Sequence, residues 1–481
     1  MPRAVRTRRR LTTSSSPATP ATPSSPPPSA QDLVFVVPNQ ALHASGDAFL
    51  LPDAGLPLSE EGPAVFSKAV GVADPAPDST SEGPAHNGSG ATTVAVAASG
   101  NILIDALLIG TRWANASITY SFPDAAADYQ AGYSSDQDGD TFSAQFENFS
   151  GFSAQQILST HFALSQAIFT QPVGAGGFSV EGFTNLGIDS AGAGVGTGTI
   201  RLANTSDAGT AYAFYPNNSI YGGDAWFGTS ARTPTAGNYS WHTVIHELGH
   251  SLGLKHGHEA GVFGALPSNR DSLEFSVMTY RTFIGDNTSG YNYETWGAPQ
   301  TFMMLDIAAL QYMYGADFTS NSGNTTYTWN SANGQSFVNG SLAIAPGANR
   351  IFTTVWDGNG TDTYDLSNYT TNLRIDLRPG ESSTFSAVQL ANLGGGPTSN
   401  FARGNVFNAL QFAGDSRSLI ENAIGGSGND TLTGNQANNT LTGNGGNDTF
   451  DGGAGVDVMN GGTAMTPSGF STAGPAGPAR S

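Results

Sequence analysis

A nine-residue pattern repeats near the carboxyl end of the chain and restricts how that region can fold. Its fullest copy, which starts at Gly425, reads Gly-Gly-Ser-Gly-Asn-Asp-Thr-Leu-Thr, and further copies start at Gly434, Gly443 and Gly452. The glycines permit tight turns, and an apolar residue in register can point inward. The repeat therefore predicts a parallel β-roll with two nonapeptides per turn. A flexible Gly/Asn/Asp linker is the alternative, and the fixed period argues against it. The predicted interior positions are Leu432, Leu441, Phe450 and Val458 or Met459.

The sixth position of the repeat carries oxygen donors, which indicates bound Ca²⁺. Carboxylate and backbone carbonyl oxygens are the ligands that calcium takes in proteins. Residues eighteen apart stack on one edge of such a roll, so Asp430 and Asp448 are predicted to share one ion. On the other edge Asn439 faces Asp457 and forms a weaker pair. A similar Asp/Gly-rich pattern upstream makes Asp362 an isolated candidate ligand.

A second motif, H-E-x-x-H-x-x-G-x-x-H, begins at His246 and predicts a zinc site. The surrounding residues favour a helix, and residues four apart on a helix lie above one another, so His246 and His250 can bind one ion. Gly253 can end the helix in the left-handed conformation and turn the chain, which makes His256 the third ligand. Zinc lowers the pKa of a bound water to roughly 7, and Glu247 can then act as the general base.

The bare H-E-x-x-H pattern occurs by chance in many chains, but two further observations favour a metal site. The extended motif adds a glycine and a third histidine at fixed offsets, and five of the eight histidines of the chain lie in this one region. Spacing excludes His242 and His258 from the ligand set, and both are interpreted as surface residues or as neighbours of the ligands. His161, on a separate predicted helix, is interpreted as structural.

Downstream of the histidine motif, Ser276-Val277-Met278-Thr279-Tyr280 resembles the methionine turn of metzincin peptidases as it occurs in the serralysin family. The resemblance implies that Met278 forms the floor of the zinc site. It also implies that Tyr280 can ligate zinc at rest and can stabilise the oxyanion during catalysis. Without the resemblance, Met278 would be an ordinary core residue and Tyr280 a half-buried strand residue.

The resemblance to serralysins extends from about residue 104 to about residue 460. In that family an edge strand above the cleft aligns the substrate peptide by main-chain pairing, which makes residues 212–215 the candidate for this role. The resemblance implies protein or peptide substrates, one catalytic Zn²⁺, several structural Ca²⁺ and an extracellular location. Besides the motifs, the segments that carry it are 104–108, 118–122, 211–214, 223–227 and 305–315.

Local patterns agree with a catalytic domain that contains both helices and strands. Ser153 and Gln156 form a predicted capping box, and apolar residues follow at near-helical spacing up to Phe169. Short strands are predicted at 199–203 and 211–215, in a mostly parallel sheet. The predicted fold class is α+β: a metzincin-like mixed sheet with helices, followed by an all-β, calcium-binding parallel β-roll.

Composition excludes several classes of partner. The formal net charge of −20 argues against nucleic acid and suits calcium binding and solubility outside the cell. There are no cysteines, so no disulfide framework is available. Arginines crowd the first ten residues, and a Ser/Thr/Pro tract that follows is predicted to be disordered. The apolar run at 33–37 is too short for a signal peptide or a membrane span.

These patterns together predict a secreted zinc endopeptidase that is expected to be a monomer. Two alternatives stay open: a non-enzymatic calcium-binding surface or adhesion protein with an inactive peptidase domain, and a metal-dependent amidase that acts on small molecules. Degradation of an extended protein separates the peptidase from both. The predicted segments are a disordered tail 1–31, a pro-segment or linker 32–100, the catalytic domain 101–318, the β-roll 319–462 and a flexible tail 463–481.

Overall fold

The computed structural model describes residues 88–130, 133, 144–165, 176–394 and 400–462. All of them belong to one unit, Ala41–Ser481. The predicted N-terminal tail, most of the predicted pro-segment, Phe169 and the predicted C-terminal tail lie outside the described residues.

The α-helices of the described residues are short. None of them is long and apolar enough to cross a membrane. The helices are α1 Ile102–Asp105, α2 Ala154–Leu164, α3 Val180–Phe183, α4 Tyr239–Ser251 and α5 Met304–Tyr314. The strands are β1 Thr93–Ala95, β2 Thr111–Trp113, β3 Ser117–Phe122, β4 Gly187–Ala193, β5 Ile200–Asn204, β6 Ala211–Ala213, β7 Ala225–Phe227, β8 Thr326–Trp329, β9 Ser336–Val338, β10 Ser341–Ile344, β11 Thr353–Val355, β12 Thr363–Asp365, β13 Arg374–Asp376, β14 Ser382–Ser383, β15 Val406–Asn408, β16 Asn422–Ile424, β17 Thr431–Thr433, β18 Thr440–Thr442, β19 Thr449–Asp451 and β20 Val458–Asn460.

The first half of the described chain is built on a five-stranded sheet in the order β4-β3-β5-β7-β6. β3 pairs in parallel with β4 and β5, and β5 pairs in parallel with β7. β6 ends the sheet, antiparallel to β7. β5 is buried along its whole length, as expected for a strand with neighbours on both sides. The sheet is therefore mixed and mostly parallel, as the sequence predicts. The ends of β5 and β6 lie within two residues of the ends predicted for these two strands.

Helix α2 begins with the capping box that the sequence predicts. The Gln156 backbone N–H donates to Ser153 Oγ, and the Ser153 N–H donates to Gln156 Oε1. These bonds satisfy two N–H groups that a helix start leaves without partners. Phe162 of α2 is buried, and its ring packs on Trp241 of α4 with centroids 5.1 Å apart. Helix α2 thus supports the helix that carries the histidine motif.

Helix α4, which carries the first part of the histidine motif, is a core helix. The Asn238 side chain caps it by accepting from the Trp241 N–H at 2.8 Å. Val244, Leu248 and Leu252 are fully buried, on the side that the sequence assigns to the core. The opposite face of the helix is buried as well, since all residues from 240 to 251 are buried. Side chains on this helix are therefore held in fixed positions.

In the second half of the described chain, from Gly315 to Gly462, the described residues form strands and 3₁₀ turns but no α-helix. β12, β16, β18 and β20 pair in parallel within a seven-stranded sheet. β13, β17 and β19 pair in parallel in a separate three-stranded sheet. Successive nonapeptides therefore alternate between two sheets, and residues eighteen apart stand side by side, as Thr431 does beside Thr449.

The apolar position of the repeat faces the interior between these sheets. Leu432 and Leu441 are fully buried and Phe450 is 5% exposed. In the last repeat Met459 pairs in register with Leu441 and is half-buried, whereas Val458 is 58% exposed. The sequence predicts either Val458 or Met459 as the interior residue of the last repeat, and the structure places Met459 in that position.

Candidate metal centre

The side chains of His246, His250 and His256 meet at one buried point. The Nε2 atoms of His246 and His250 each lie 3.1 Å from Nε2 of His256. The first two rings stand one turn apart on α4, and the turn after the helix brings in the third. All three residues are at most 3% exposed. Their nitrogens are close enough together for one metal ion to contact all three.

The second nitrogen of each ring is held by an oxygen acceptor. The rings of His246 and His250 each face a backbone carbonyl, and the ring of His256 faces a carboxylate. Because these oxygens accept hydrogen bonds, the proton of each neutral ring lies on Nδ1. Each Nε2 then keeps its lone pair for the common point, which is how metal-binding histidines are oriented. The pairs are His246 Nδ1 to Val277 O at 2.8 Å, His250 Nδ1 to Leu254 O at 2.7 Å and His256 Nδ1 to Glu259 Oε1 at 3.1 Å.

Burial keeps these rings neutral. It lowers the pKa of His246 to about 4 and lowers the pKa of His250 and His256 well below the usual range of histidine. Neighbouring imidazoles lower the pKa of the last two further. Neutral imidazole is the form that binds a metal, and three such rings form a donor set that fits Zn²⁺.

Close packing leaves little room for a side chain at two glycines of the histidine segment, Gly249 and Gly253. A Cβ on Gly249 would lie 2.5 Å from the sulfur of Met278, which is fully buried against α4. Gly253 has a φ of +105°, and a Cβ there would lie 2.6 Å from Thr111 O. A side chain at Gly253 would therefore be both strained and obstructed. The structure thus places Met278 against α4 and Gly253 at the turn between the second and third histidines.

The Tyr280 hydroxyl reaches the point where the histidines converge. Its oxygen lies 2.9 Å from His256 Nε2. The ring packs on His256, with centroids 4.4 Å apart, and on the half-buried His258 at 4.6 Å. Tyr280 is 9% exposed and lies outside the strands, so it is a lining residue of the centre and is not a half-buried strand residue. Its predicted roles as a metal ligand and oxyanion donor stay predictions.

His242 is buried, which excludes the surface interpretation for this residue. It precedes His246 by one helical turn, and its Nε2 donates to Val277 O at 3.1 Å. Its Nδ1 accepts from the Tyr293 hydroxyl at 3.0 Å. Burial, followed by the nearby His246, lowers the pKa of His242 to about 3. His242 thus supports the same carbonyl that orients His246. His161 pairs with the Tyr120 hydroxyl, consistent with its structural interpretation.

No sequence pattern marks Asp306, yet it supports the centre from α5. Its carboxylate accepts from Ser276 Oγ at 2.6 Å, from Val277 N at 2.8 Å and from Met303 N at 2.9 Å. The residue is fully buried, and burial raises its pKa to about 7. Asp306 therefore ties the start of α5 to Val277, whose carbonyl orients His246. A separation of about thirty residues hides this link from the sequence.

The remaining predicted catalytic elements are Glu247 and the strand next to the zinc motif. Glu247 follows His246 on α4 and is 1% exposed. β6 packs against α4 at the end of the five-stranded sheet. Just beyond β6, the Tyr215 ring meets the His250 ring edge-on, with centroids 5.3 Å apart. The predicted substrate-aligning strand is therefore a neighbour of the histidines.

Comparison with known proteins connects both halves of the chain to one group of peptidases. Residues 316–464 match the family model for the Peptidase M10 serralysin C terminal. Serralysin G of Dickeya chrysanthemi is 30% identical over 338 residues, which cover 67% of this chain and 60% of the relative. Serralysin C of the same organism is 36% identical over 233 residues, or 46% of this chain and 42% of the relative. Metallopeptidase AprA of Pseudomonas marginalis is 32% identical over 259 residues, or 50% of this chain and 48% of the relative.

The chain is related to the serralysin-type metalloproteases. This relationship confirms the resemblance that the methionine-turn segment carries. The chain spans 42% to 60% of the length of these three serralysin relatives.

In the serralysin-type C-terminal part, Asp430 and Asp448 lie on one edge of the repeats, as predicted. The Asp430 N–H donates to Asp448 Oδ1 at 2.9 Å. The Asp430 carboxylate accepts from the N–H groups of Leu373 and Gly426, at 2.8 Å and 2.7 Å. Asp448 Oδ2, by contrast, is buried and has no hydrogen-bond partner among the described residues. A buried anionic oxygen without a donor is a group that a bound cation would satisfy.

On the other edge Asn439 faces Asp457, also as predicted. The Asn439 N–H donates to Asp457 Oδ1 at 3.0 Å. The Asn439 amide is already occupied, because Nδ2 donates to Glu421 O and Oδ1 accepts from Asn435 N, both at 2.8 Å. An amide oxygen is a poorer metal donor than a carboxylate, and the weaker pair stays a prediction.

Asp362 is not isolated, which corrects the sequence-based interpretation. The strand after it, β12, pairs with β16, the strand after Glu421, and the Asp362 N–H donates to Glu421 Oε2 at 2.8 Å. A second buried carboxylate, Asp357, lies next to Asp362, and burial raises the pKa of both. The Asp357 side chain is a hydrogen-bond partner of the Asp362 carboxylate. Fifty-nine residues separate Asp362 from Glu421, so only strand pairing brings them together.

Proposed function

We propose that the protein is a secreted zinc-dependent endopeptidase that hydrolyses peptide bonds of extracellular proteins. The observation that carries the proposal is the convergence of three neutral imidazoles, with Nε2 atoms 3.1 Å apart, on a point that the Tyr280 hydroxyl also reaches. The peptidase relatives support the reaction class. The formal charge of −20 suits an extracellular protein that is soluble and binds calcium.

The proposed hydrolysis assigns a role to each residue of the centre. His246, His250 and His256 would hold the zinc, which would supply a water of lowered pKa and a Lewis acid for the substrate carbonyl. Glu247, next to His246 and buried, takes the proton of the attacking water and returns it to the leaving amine. The Tyr280 hydroxyl, 2.9 Å from His256 Nε2, donates to the oxygen of the carbonyl as negative charge develops on it.

The substrate peptide is proposed to add to the sheet beside β6. β6 pairs with β7 on one side and ends the five-stranded sheet, and it packs against α4. An extended peptide that pairs with a sheet edge is held by its main chain, so the sequence of the substrate is restricted little by this contact. This arrangement favours a protein substrate over a small amide.

Casein hydrolysis tests this function. The purified, zinc-loaded protein is expected to cleave casein, and a zinc chelator is expected to abolish cleavage. Glu247→Ala is expected to lower the rate by about 100-fold or more while zinc content stays unchanged, because the base is lost and the ligands are kept. A folded, zinc-loaded wild-type protein that leaves casein intact would contradict the proposal. Cleavage of a small amide under those conditions would then favour an amidase, and its absence the non-enzymatic alternative.

We also propose that Ca²⁺ stabilises the C-terminal part. The donor set fits calcium, because it consists of carboxylates beside glycine-rich turns, and Asp448 Oδ2 is buried without a donor from the residues that the structure describes. Asp362 lies beside two further carboxylates, those of Asp357 and Glu421. The first glycine of a repeat leaves room for the carboxylate, since a Cβ on Gly443 would collide with Asp448 of the same repeat. Asp430 would share the ion at Asp448, and Asp457 would hold the weaker one opposite Asn439.

A further inference from the structure

Lys255 lies inside the zinc motif, between the glycine turn and the third histidine, and it is 1% exposed. Its ammonium group faces four backbone carbonyls. Among the residues that the structure describes, no carboxylate lies within ion-pair distance of this group. The acceptors are Ala106 O at 2.6 Å, Glu259 O at 2.7 Å, Gly264 O at 3.0 Å and His256 O at 3.3 Å.

A buried ammonium without a carboxylate in contact is costly, because neutral acceptors replace its hydration only when several of them meet it. The Glu259 carboxylate attracts the Lys255 ammonium from beyond contact distance. Here carbonyl oxygens surround one nitrogen much as they surround a bound metal cation. Three of these carbonyls belong to His256 and the loop that follows it. The fourth belongs to Ala106, and the next residue, Leu107, accepts the backbone N–H of Lys255 at 2.8 Å. Both ends of Lys255 therefore join the loop to this segment.

We propose that Lys255 is a positioning residue that acts as a tethered cation and holds the loop of the third zinc ligand in place. The inference rests on the proposed zinc site. The first two ligands are fixed by the buried helix α4, whereas His256 lies beyond it. The His256 ring is oriented by the Glu259 carboxylate, and the backbone carbonyl of Glu259 accepts from the Lys255 ammonium.

Removal of the charge should therefore act on one ligand of the three. Without the ammonium, the four carbonyls lose their common donor, and three of them turn towards water. Glu259 then loses its fixed position, and His256 loses the partner that directs its Nε2 to the metal. Loss of a partner of this kind typically weakens metal binding about 10- to 100-fold. We expect zinc to dissociate faster by a factor in this range.

The absence of cysteine from the chain permits a direct test at this position. Lys255→Cys provides the single thiol, which is alkylated in the unfolded protein before refolding with zinc and calcium. Bromoethylamine restores an ammonium at nearly the length of lysine, and iodoacetamide gives a neutral side chain. Zinc release to a colorimetric chelator is then timed. The neutral adduct should release zinc about 10- to 100-fold faster than wild type, and the ammonium adduct should come close to the wild-type rate.

Arg201→Met is the matched control for general destabilisation. Arg201 is also fully buried, but it lies in β5 and pairs with Asp224 at 2.7 Å. It should lower the stability and leave the rate of zinc release near that of wild type. Equal release from the two Lys255 adducts would overturn the proposal, and so would equally fast release from Arg201→Met.

Two further measurements test the role of Lys255 if the adducts fail to refold or if the protein does not cleave casein. If the adducts do not refold, Lys255→Arg replaces them. Its planar guanidinium cannot direct donors to carbonyls arranged around one point, so it should also release zinc faster, and a wild-type rate would overturn the proposal. Casein hydrolysis by the wild type is measured separately. The wild type could fail to cleave casein while its zinc retention still depends on Lys255. That result would support the positioning role of Lys255 and refute the proposed function.

Discussion

Replacement of Asp306 tests whether the methionine-turn segment is held in place by a buried carboxylate. Burial raises the pKa of Asp306 from its usual value near 4 to about 7, so the folded protein binds this proton more tightly than the unfolded chain. Its contribution to the free energy of unfolding is therefore complete below about pH 4 and is lost as the pH rises through about 7. A tenfold difference in proton affinity between the two states corresponds to about 1.4 kcal/mol, which gives about 4 kcal/mol in total.

Asp306→Asn removes the titration and keeps the shape. The amide oxygen can still accept from Val277 and Met303, and its NH₂ can donate to Ser276 Oγ. We expect the unfolding free energy of wild type, relative to this variant, to fall by about 3 kcal/mol between roughly pH 4.5 and roughly pH 7.5. Urea unfolding across this range measures it. A difference that stays constant to within about 1 kcal/mol would refute the reasoning.

Asp306→Ala separates the hydrogen bonds from the charge. It leaves the three donors without an acceptor, at roughly 1–3 kcal/mol each, so it should destabilise the protein by at least about 3 kcal/mol near pH 5, where the wild-type carboxyl is mostly protonated. Because Val277 O orients His246, zinc affinity should fall as well. If Asp306→Ala binds zinc as tightly as Asp306→Asn does, the contacts from Asp306 through Val277 to His246 do not affect zinc binding.

Two other substitutions test the remaining predicted residues. Tyr280→Phe should lower kcat by about 100- to 1000-fold, because one oxyanion donor is lost, while zinc content and KM change little. Steady-state kinetics with metal analysis checks this, and an unchanged kcat would exclude the oxyanion role. Asp448→Asn should raise the calcium concentration at the midpoint of the folding transition, followed by circular dichroism, without loss of zinc. A midpoint equal to that of wild type would count against calcium at Asp448, and Asp415→Asn, which lies outside the repeats, is the matched control.

Much of the metal centre could be predicted because its parts are close together in the sequence. Helical spacing brings His246 above His250, and a glycine turn of defined geometry follows directly, so the spacing of the motif carries the geometry. The repeats are predictable for a similar reason. A period of nine residues, with two repeats per turn, places Asp448 beside Asp430 whatever the rest of the chain does.

The supporting residues could not be predicted, because their partners are distant in the chain. Val277 O accepts from His242 and His246, and Asp306 holds the Val277 N–H, yet these residues come from three separate segments. The Lys255 ammonium likewise reaches Ala106, 149 residues earlier. No local pattern records such contacts.

Local spacing therefore determines which atoms can bind the metals, since helix pitch and repeat period are properties of the backbone. Tertiary packing decides which of those atoms are neutral, oriented and held. Burial by distant segments removes water from His242 and Asp306, and strand pairing places Glu421 beside Asp362. Desolvation and hydrogen-bond partners depend on what surrounds a side chain, and only the folded chain defines those surroundings.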